Sequence, residues 1–385
     1  MQNIETDTPL TELGLPEIID IEPTQNCNLS CLHCHVSTEK LTGEELDPKF
    51  IKNMKGMESR RVLLGEKYEP FSHSKISEII TGLSNQGLKI EATTNGTFFT
   101  PELETEIVNA NWVKINVSFD GGTPKTFESI RKNADYGQTL ENIINFKNAI
   151  QSCRGNEVLF SSIYTMLRGN IHEIPHAVGL WEGIGFDSLI FNALRVDKTN
   201  PAHESENAEQ AIEQAYEQLD IASRHVINNN CRITLNSDAF RKRLLKAKEE
   251  YPVNFIGDAV LSNHPEAKIL LDPRDYFQKG HFPGMKINCR SPFKYVRILY
   301  NGDVELCYKH AIGNIYEDTL FDIWFGEKAQ SYRASVKEDP SICQSCDYFN
   351  NCIREDNDGH INSGDNPKSE KISQHTPPLF AEDLV

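Results

Sequence analysis

The sequence predicts an α/β fold built on a parallel sheet. Between Leu15 and Arg195, short apolar runs alternate with segments whose apolar residues recur at helical spacing, which is typical of successive strand–helix units. The chain has 385 residues, enough for two domains or for one large barrel with an appendage. Hydrophobic residues make up 38% and charged residues 25% of the chain, a balance typical of a folded globular protein.

Six strands are predicted because each is a short apolar run that polar or turn-forming residues interrupt. They are Ile18–Ile21, Arg61–Leu64, Lys89–Thr93, Val113–Phe119, Val158–Met166 and Ser188–Asn192. The helices predicted between them are Phe50–Gly56, Lys75–Gln86, Pro101–Ala110, Thr139–Cys153 and Ile171–Gly183. Gly87 ends one of these helices, as glycine commonly does. Six such units fit a partial barrel as well as an open doubly wound sheet, and periodicity does not decide between them.

The remaining chain is less regular. A long surface helix is predicted over His203–Asn230, a strand at Arg232–Leu235 and a charged helix at Ser237–Glu249. The pattern predicts five parts. They are an N-terminal extension (1–14), the sheet-forming domain (15–236), a linker with covering loops (237–285), a second small domain (286–355) and a flexible tail (356–385).

Charge and the N-terminus limit the classes of partner and compartment. Thirty-nine Lys plus Arg against 56 Asp plus Glu give a net charge of −17, which repels a nucleic-acid backbone. The start MQNIETDTPLTELGLPE has neither the basic residues nor the apolar run of a secretory signal, and no membrane span is visible. We therefore expect a cytoplasmic protein that binds neither membrane nor nucleic acid. Its ten cysteines then indicate metal rather than disulfides.

Three cysteines follow the first strand closely, as Cys27-x3-Cys31-x2-Cys34. A [4Fe–4S] cluster held by three cysteines leaves one iron open to a small molecule. A structural zinc ion would need a fourth ligand, which His33 or His35 could supply. The loop lies at the carboxyl end of a strand, where barrel and open-sheet active sites assemble, and this position favours iron–sulfur.

The segment CNLSCLHC resembles the signature of the radical S-adenosylmethionine (SAM) enzymes. The resemblance implies a partial (β/α)6 barrel over 15–236, SAM chelated by the open iron, and an electron donor such as flavodoxin or ferredoxin. In that family one electron from the cluster cleaves the S–C5′ bond, and the 5′-deoxyadenosyl radical abstracts a hydrogen atom from the substrate. His33 departs from the family, which usually has an aromatic or apolar residue there.

Other strand ends are similar to family motifs, and the resemblance gives their residues a role in SAM binding. The motifs are VLLGEKYEP, TTNG (Thr93 to Gly96) and VSFDG (Val117 to Gly121). The implied SAM-binding residues are Glu69, at the SAM ammonium, with Ser118, Arg131, Ser161 and Asn192. Each also has a structural interpretation: Glu69 as an exposed loop carboxylate, the serines as partners of buried backbone groups, and Arg131 as a surface residue.

A second group of cysteines lies near the C-terminus. Asn301-Gly302 between two alternating apolar runs predicts a hairpin, flanked by Cys289 and Cys307. Taken alone, these cysteines and the Cys-x2-Cys pair beyond them could form a zinc knuckle. The aromatic Trp324 is expected to pack in a core, and Cys153 and Cys231 to be small buried hydrophobic residues.

Beside the first group, this region resembles the auxiliary-cluster domain called SPASM, or its shortened form called twitch. The resemblance implies one auxiliary [4Fe–4S] cluster on Cys289, Cys307, Cys343 and Cys346, because no cysteine follows Cys352 to complete a second. Cys352 is then an alternate ligand, a neighbouring thiol or a catalytic hydrogen donor.

The resemblance implies hydrogen abstraction from a peptide or small-molecule natural product. Oxidation or crosslinking, assisted by the auxiliary cluster, is the leading hypothesis. Epimerisation with a cysteine hydrogen donor is the alternative within the family. A zinc-stabilised binding protein without catalysis is the alternative from another class.

Overall fold

A ten-stranded sheet joins the two halves of the chain. The computed structural model describes residues 13–194, 200–237, 291–307 and 310–338, and the backbone of two short pairs at 354–355 and 361–362. The strands are β1 Ile18–Ile21, β2 Ser30–Cys31, β3 Arg61–Leu64, β4 Lys89–Thr94, β5 Trp112–Ser118, β6 Arg131–Lys132, β7 Leu159–Met166, β8 Ser188–Ala193, β9 Thr234–Asn236, β10 Tyr295–Ile298, β11 Asp303–Leu306, β12 His310–Asn314, β13 Arg354–Glu355 and β14 Ile361–Asn362.

Helices follow most of the strands. The α-helices are α1 Ile76–Asn85, α2 Pro101–Ile107, α3 Pro124–Ile130, α4 Tyr136–Arg154, α5 Ile174–Ile184, α6 Pro201–Ser205, α7 Ile212–Asn228, α8 Ser291–Lys294, α9 Leu320–Phe325 and α10 Glu327–Glu338. Short 3₁₀ helices span His35–Thr38, Pro48–Met54, Pro70–Ser72, Gly155–Glu157, Ile171–Glu173 and Ala208–Ala211. Thr100, Thr123 and Asp135 cap α2, α3 and α4 by accepting a backbone N–H, which satisfies a donor that the helix leaves unpaired.

The strand order in the large sheet is β12-β11-β10-β1-β3-β4-β5-β7-β8-β9. All neighbours from β10 to β9 are parallel, whereas β10, β11 and β12 are antiparallel. Among the described residues β9 and β12 do not pair, so the sheet is open there. The prediction of an α/β fold with a partial barrel and a small C-terminal unit is confirmed, and β9 overlaps the predicted strand at Arg232–Leu235.

The two faces of the sheet differ in chemistry because side chains alternate along a strand. Ile19 and Ile21 of β1 belong to the hydrophobic core with Val62 and Leu64 of β3. The opposite face, which we call the polar face, is buried but hydrophilic. It includes Asp20, Glu22, Glu91, Asn116, Ser161, Ser188 and Arg297. Polar groups on this face are available to a ligand or to one another.

The C-terminal unit is an extension of the sheet. Strand β10 pairs in parallel with β1, and Asp20 lies opposite Arg297. The predicted hairpin is confirmed, with its turn between β10 and β11. Gly302 has φ +88°, and a Cβ there would lie 2.6 Å from the Tyr316 ring, so only glycine fits this turn.

Several local predictions were wrong. The segment at Phe50 forms a 3₁₀ helix that begins at Pro48, capped by Asp47. The long helix expected over His203–Asn230 is three pieces, because a β-bridge between Leu167 and Asn207 interrupts it. Helix α3 was not predicted at all.

The two isolated cysteines and Trp324 give mixed outcomes. Cys153, near the end of α4, is exposed, and Cys231 is half-buried, so neither is the buried hydrophobic residue expected. Trp324 is fully buried, and its indole N–H donates to the Gly14 carbonyl at 2.9 Å. The predicted helix at Ser237–Glu249 lies outside the described residues beyond position 237. Within the described chain, none of the helices has the length and apolar character that crossing a membrane requires.

Candidate active site

The three N-terminal cysteines lie on the loop that leaves the carboxyl end of β1. Cys31 is buried and lies on β2, which pairs with β6 so that Cys31 faces Arg131, whereas Cys27 and Cys34 are half-buried. Burial raises the pKa of Cys27 to about 11 and that of Cys31 to about 12. It also raises the pKa of Cys34. Without metal these groups are thiols, and a metal must displace their protons to bind.

Hydrogen bonds from neighbouring strand ends hold this loop. The backbone N–H of Glu69 donates to the Asn26 carbonyl at 3.0 Å. Asn95 donates through Nδ2 to Asn28 Oδ1 at 2.9 Å, and Asn28 Nδ2 donates to Thr97 Oγ1 at 2.9 Å. The cysteine loop is therefore attached to the loops that follow β3 and β4.

Glu69 is buried between those loops and accepts three hydrogen bonds. Oε1 accepts from Thr94 Oγ1 at 2.8 Å and from the Phe71 N–H at 3.1 Å, and Oε2 accepts from the Asn95 N–H at 2.7 Å. Burial raises its pKa to about 7 despite these donors. A carboxylate has about four acceptor positions, so one remains for a cationic group. The alternative of an exposed loop carboxylate is wrong.

Arg131 lies beside the cysteines and is also buried. Its Nη2 is 2.7 Å from Asp120 Oδ2, and its Nη1 donates to Cys31 Sγ at 3.8 Å. Asp120 is fully buried and accepts the Thr165 N–H at 2.6 Å. Asp120 therefore neutralises Arg131 locally and orients it toward the sulfur. The surface interpretation of Arg131 is wrong.

Asp120 and His33 are site residues that the sequence reasoning did not assign. His33 Nε2 lies 3.6 Å from Asp120 Oδ2, and its buried Nδ1 has no hydrogen-bond partner in the part of the chain that is described. Burial lowers the pKa of His33 to about 4, so its imidazole is neutral at pH 7. The signal for Asp120 was its place in VSFDG, directly after a buried strand.

The other predicted SAM-binding residues spread along the polar face. Ser118 is half-buried at the carboxyl end of β5, and Asn192 is half-buried near the carboxyl end of β8. Ser161 is buried toward the amino end of β7, where its hydroxyl is 2.7 Å from the Ser188 hydroxyl. The structure therefore brings Glu69 and Arg131 to the cysteine loop, and it places Ser161 lower on the sheet.

Only part of the second cysteine group lies within the described residues. Cys307 follows β11 with φ +53°, a conformation that few non-glycine residues adopt and that is often found at functional positions. Cys289, Cys343, Cys346 and Cys352 lie outside the described residues, so their assignment as ligands or hydrogen donor stays a prediction.

The two cysteine regions lie at opposite ends of the same strands. The cysteine loop leaves the carboxyl end of β1, whereas β11 runs antiparallel to β10 and so returns Cys307 toward the amino end of β1. The four residues of β1, at about 3.3 Å each, account for roughly 13 Å of strand between the two ends.

Between the two regions the polar face carries a buried ion network. Arg297 on β10 lies 3.1 Å from Asp20 and 2.6 Å from Glu22, both on or next to β1. The Tyr295 hydroxyl donates to Asp20 at 2.5 Å, and Glu22 accepts the Lys67 N–H at 2.7 Å. Burial raises the pKa of Asp20 and of Glu22, although Arg297 opposes that shift. The alternating charges in IDIE and YVRI were the sequence signal for this network.

The donors of the cysteine loop fit an iron–sulfur cluster. Three thiols lie close enough that the charge on one raises the pKa of another, and one of them contacts a guanidinium. Among the described residues no three His, Cys, Asp or Glu side chains converge on a single metal position. A zinc ion needs such convergence because its ligands all lie about 2.0–2.3 Å from one centre. In a four-iron cluster each thiolate binds a different iron.

Two family matches divide the chain in the same way as the structure. Residues 21–178 match the radical SAM superfamily. Residues 289–347 match SPASM, an iron–sulfur cluster-binding domain. The first match contains the cysteine loop, Glu69 and Arg131, and the second begins at Cys289 and contains Cys307.

Curated relatives match over part of their length. The chain is 27% identical over 176 residues to the AdoMet-dependent heme synthase of Methanosarcina barkeri, covering 44% of this chain and 48% of that protein. It is 26% identical over 141 residues to the mycofactocin maturase MftC of Mycolicibacterium smegmatis, covering 36% of each. The chain thus spans half or less of the length of these relatives.

Solved structures share the fold over most of the chain. SuiB of Streptococcus suis bound to S-adenosylmethionine has a TM-score of 0.57 at 13% identity, covering 87% of this chain and 71% of SuiB. Native anSMEcpe with bound AdoMet has a TM-score of 0.53 at 13% identity, covering 86% of this chain and 86% of that one. At this identity the likeness concerns the fold.

Proposed function

Because the chain carries a radical SAM domain followed by a SPASM iron–sulfur domain, we propose that it oxidises or crosslinks a peptide or peptide-derived natural product. Its cofactors are a [4Fe–4S] cluster, SAM and an auxiliary iron–sulfur cluster. Bound together, the first cluster and SAM supply a radical that removes hydrogen from an unactivated carbon. The residues of this chain bind and orient these groups.

One observation carries the proposal. Three thiols, a buried carboxylate and a buried guanidinium meet at one edge of the parallel sheet, contributed by the segments that follow β1 and β3 and by β6. Cys27, Cys31 and Cys34 would hold the cluster, leaving one iron for SAM. Glu69 would accept the SAM ammonium at its remaining acceptor position.

The supporting residues orient this set. Asn95 and Thr94 hold the Glu69 carboxylate from two sides. Asp120 aims Arg131 at Cys31 and cancels its charge. Glu69 and Arg131 are both buried in the chain itself, so little water must be removed from either group when a ligand arrives.

The substrate class rests on the relatives. One solved structure of SuiB holds the precursor peptide SuiA, with a TM-score of 0.55. Another, of anSMEcpe, holds the Cp18Cys peptide with a TM-score of 0.52. MftC is named a maturase. A peptide on the polar face of this chain would meet more carboxylates than cations near Arg297, so we expect a substrate with a basic or amide-rich segment at that position.

The first test is metal content after reconstitution without oxygen. About eight irons with matching sulfide would support two [4Fe–4S] clusters. Zinc without iron would contradict the proposal and support the non-catalytic binding protein. Formation of 5′-deoxyadenosine from SAM with a strong reductant then tests the first cluster separately from any substrate.

Oxidation and epimerisation leave different marks on a product. Oxidation removes two hydrogens and lowers the mass of the peptide by about 2 Da. Epimerisation leaves the mass unchanged in water and adds one deuterium in D₂O when a thiol is the donor. Replacing Cys352 by Ala would abolish that deuterium incorporation only if Cys352 is the donor. Oxidation is expected to persist in the same variant.

A further inference from the structure

The structure contains three buried arginines among its described residues, and they differ in their partners. Arg131 pairs with Asp120 at 2.7 Å, and Arg297 pairs with Asp20 and Glu22. Arg333, on α10, is fully buried, but within the described part of the chain no carboxylate pairs with it. Its positive charge is therefore not compensated by an acidic side chain of that part.

Neutral groups hold the Arg333 side chain in place. Nε donates to the Pro292 carbonyl at 2.8 Å and Nη1 donates to the Trp324 carbonyl at 2.7 Å. The guanidinium also stacks over the Trp324 ring, 4.1 Å from its centroid. Nη2 is buried and has no acceptor among the described residues. A buried cation with an unused donor needs a negative partner, because its removal from water costs several kcal/mol.

The negative group within electrostatic reach of Arg333 is Cys307. Burial lowers the pKa of Arg333 to about 10, and the charge of the Cys307 thiolate acts in the opposite direction. Cys307 also has the strained φ of +53°. Two unusual features, an uncompensated guanidinium and a strained cysteine, thus occur beside each other in the SPASM unit.

We propose that Arg333 is a positioning residue of the auxiliary cluster, whose charge raises the reduction potential of that cluster and makes it the better electron acceptor. This inference rests on the proposed ligation of the cluster by Cys307. A [4Fe–4S] centre with four thiolates is anionic, and reduction adds one more negative charge. A cation held nearby in a low-dielectric site stabilises the reduced form more than the oxidised form.

The role has a chemical use in an oxidation. When a substrate loses a hydrogen atom and then a proton, one electron remains to be removed. The auxiliary cluster takes that electron from the substrate radical and passes it to an external acceptor such as a flavodoxin. Arg333 neither accepts the electron nor touches the substrate in this account.

The test compares Arg333→Gln and Arg333→Met with Arg333→Lys. All are made with Cys27, Cys31 and Cys34 replaced by Ala, so that the auxiliary cluster is the one titrated. The midpoint potential is measured by electron paramagnetic resonance during titration with dithionite. Arg224→Gln, which removes an exposed charge paired with Asp220, is the matched control.

We expect Gln and Met to shift the ratio of oxidised to reduced cluster at least tenfold toward the oxidised form, which is about 59 mV for one electron. Lys should keep most of the wild-type potential, and Arg224→Gln all of it. An unchanged potential in Gln and Met, or an equal fall in Lys, would overturn the proposal.

Loss of the cluster is also informative. If Gln and Met lose the auxiliary iron while Lys keeps it, the charge is needed to hold the cluster, which supports the inference. If Lys loses it as well, the hydrogen bonds to Pro292 and Trp324 are what matter, and the inference is wrong. Iron retained in Cys307→Ala would instead disprove the ligand assignment and leave the radical SAM site unaffected.

Discussion

The two cysteine regions treat buried charge in opposite ways. Around Cys31 the guanidinium of Arg131 is neutralised by Asp120, which is itself fully buried. Around Cys307 the guanidinium of Arg333 is bonded to carbonyl groups and has no carboxylate partner in the described chain. One side chain type therefore presents almost no net charge to one cysteine and a full charge to the other.

This difference matches two different electron-transfer roles. A cluster that must give an electron to SAM needs a low reduction potential, and an uncompensated cation beside it would raise that potential. A cluster that must accept an electron benefits from such a cation. The Arg297 network with Asp20 and Glu22 lies between the regions and keeps its own charge internally balanced.

The largest effects should come from the cysteines. Replacing Cys31 by Ala is expected to lower 5′-deoxyadenosine formation by roughly a thousandfold or more, since the cluster loses a ligand. Replacing Cys307 by Ala should remove the auxiliary iron and leave SAM cleavage within about threefold. Iron content and 5′-deoxyadenosine are measured for both. Cys153→Ala, at an exposed thiol, is the control. Equal loss of SAM cleavage in both variants would show that the regions are not independent.

The next effect concerns Asp120. Asp120→Asn should make Arg131 resemble Arg333, a buried cation without a carboxylate, and cost about 3–5 kcal/mol of unfolding free energy. Urea unfolding of the metal-free protein measures this cost. Asp187→Asn is the control, because Asp187 is exposed and its carboxylate accepts the Phe160 N–H. A cost no larger than that of the control would show that Arg131 does not depend on its partner.

Much of the first region could be predicted from sequence because its signals are local. The strands Ile18–Ile21 and Arg61–Leu64 have the predicted bounds, since apolar runs between turn residues leave few alternatives. Cys27, Cys31 and Cys34 are so close in the chain that one loop must carry them. Glu69 was found through a motif directly after a strand.

What the sequence could not show depends on contacts between distant residues. The pairing of β10 with β1 joins positions 275 residues apart, such as Asp20 and Tyr295. Arg333 has an ordinary surface-like pattern around it, in EKAQSYRASVKE, and its burial follows from packing on Trp324. Helix α3 is only seven residues long, too short for a clear period.

A pH effect should distinguish Glu69 from the carboxylates of the Arg297 network. Burial raises the pKa of Glu69 from 4.5 to about 7, so the folded state favours its protonated form. Its contribution to stability is present below pH 4.5 and is lost as pH rises through 7. A shift of this size corresponds to about 3 kcal/mol.

Glu69→Gln removes that loss. Relative to wild type, the metal-free variant should therefore gain up to about 3 kcal/mol between roughly pH 5 and pH 8, as measured by urea unfolding. Glu102→Gln, at an exposed position on α2, is the control and should show no comparable gain. A constant difference between Glu69→Gln and wild type across this range would show that Glu69 titrates normally.

The smallest predicted effect separates the two regions by their supporting hydrogen bonds. Asn28 links the cysteine loop to Thr97, whereas Asn53 donates to the Ile315 carbonyl at 2.6 Å and so joins the barrel to the C-terminal unit. Replacing either by Ala should cost about 1 kcal/mol, as a partly exposed hydrogen bond usually does. Because the losses occur at different places, Asn28→Ala should speed hydrogen exchange in the cysteine loop, and Asn53→Ala should speed it after β12. Faster exchange in both places for either variant would mean that the two regions open together as one cooperative unit.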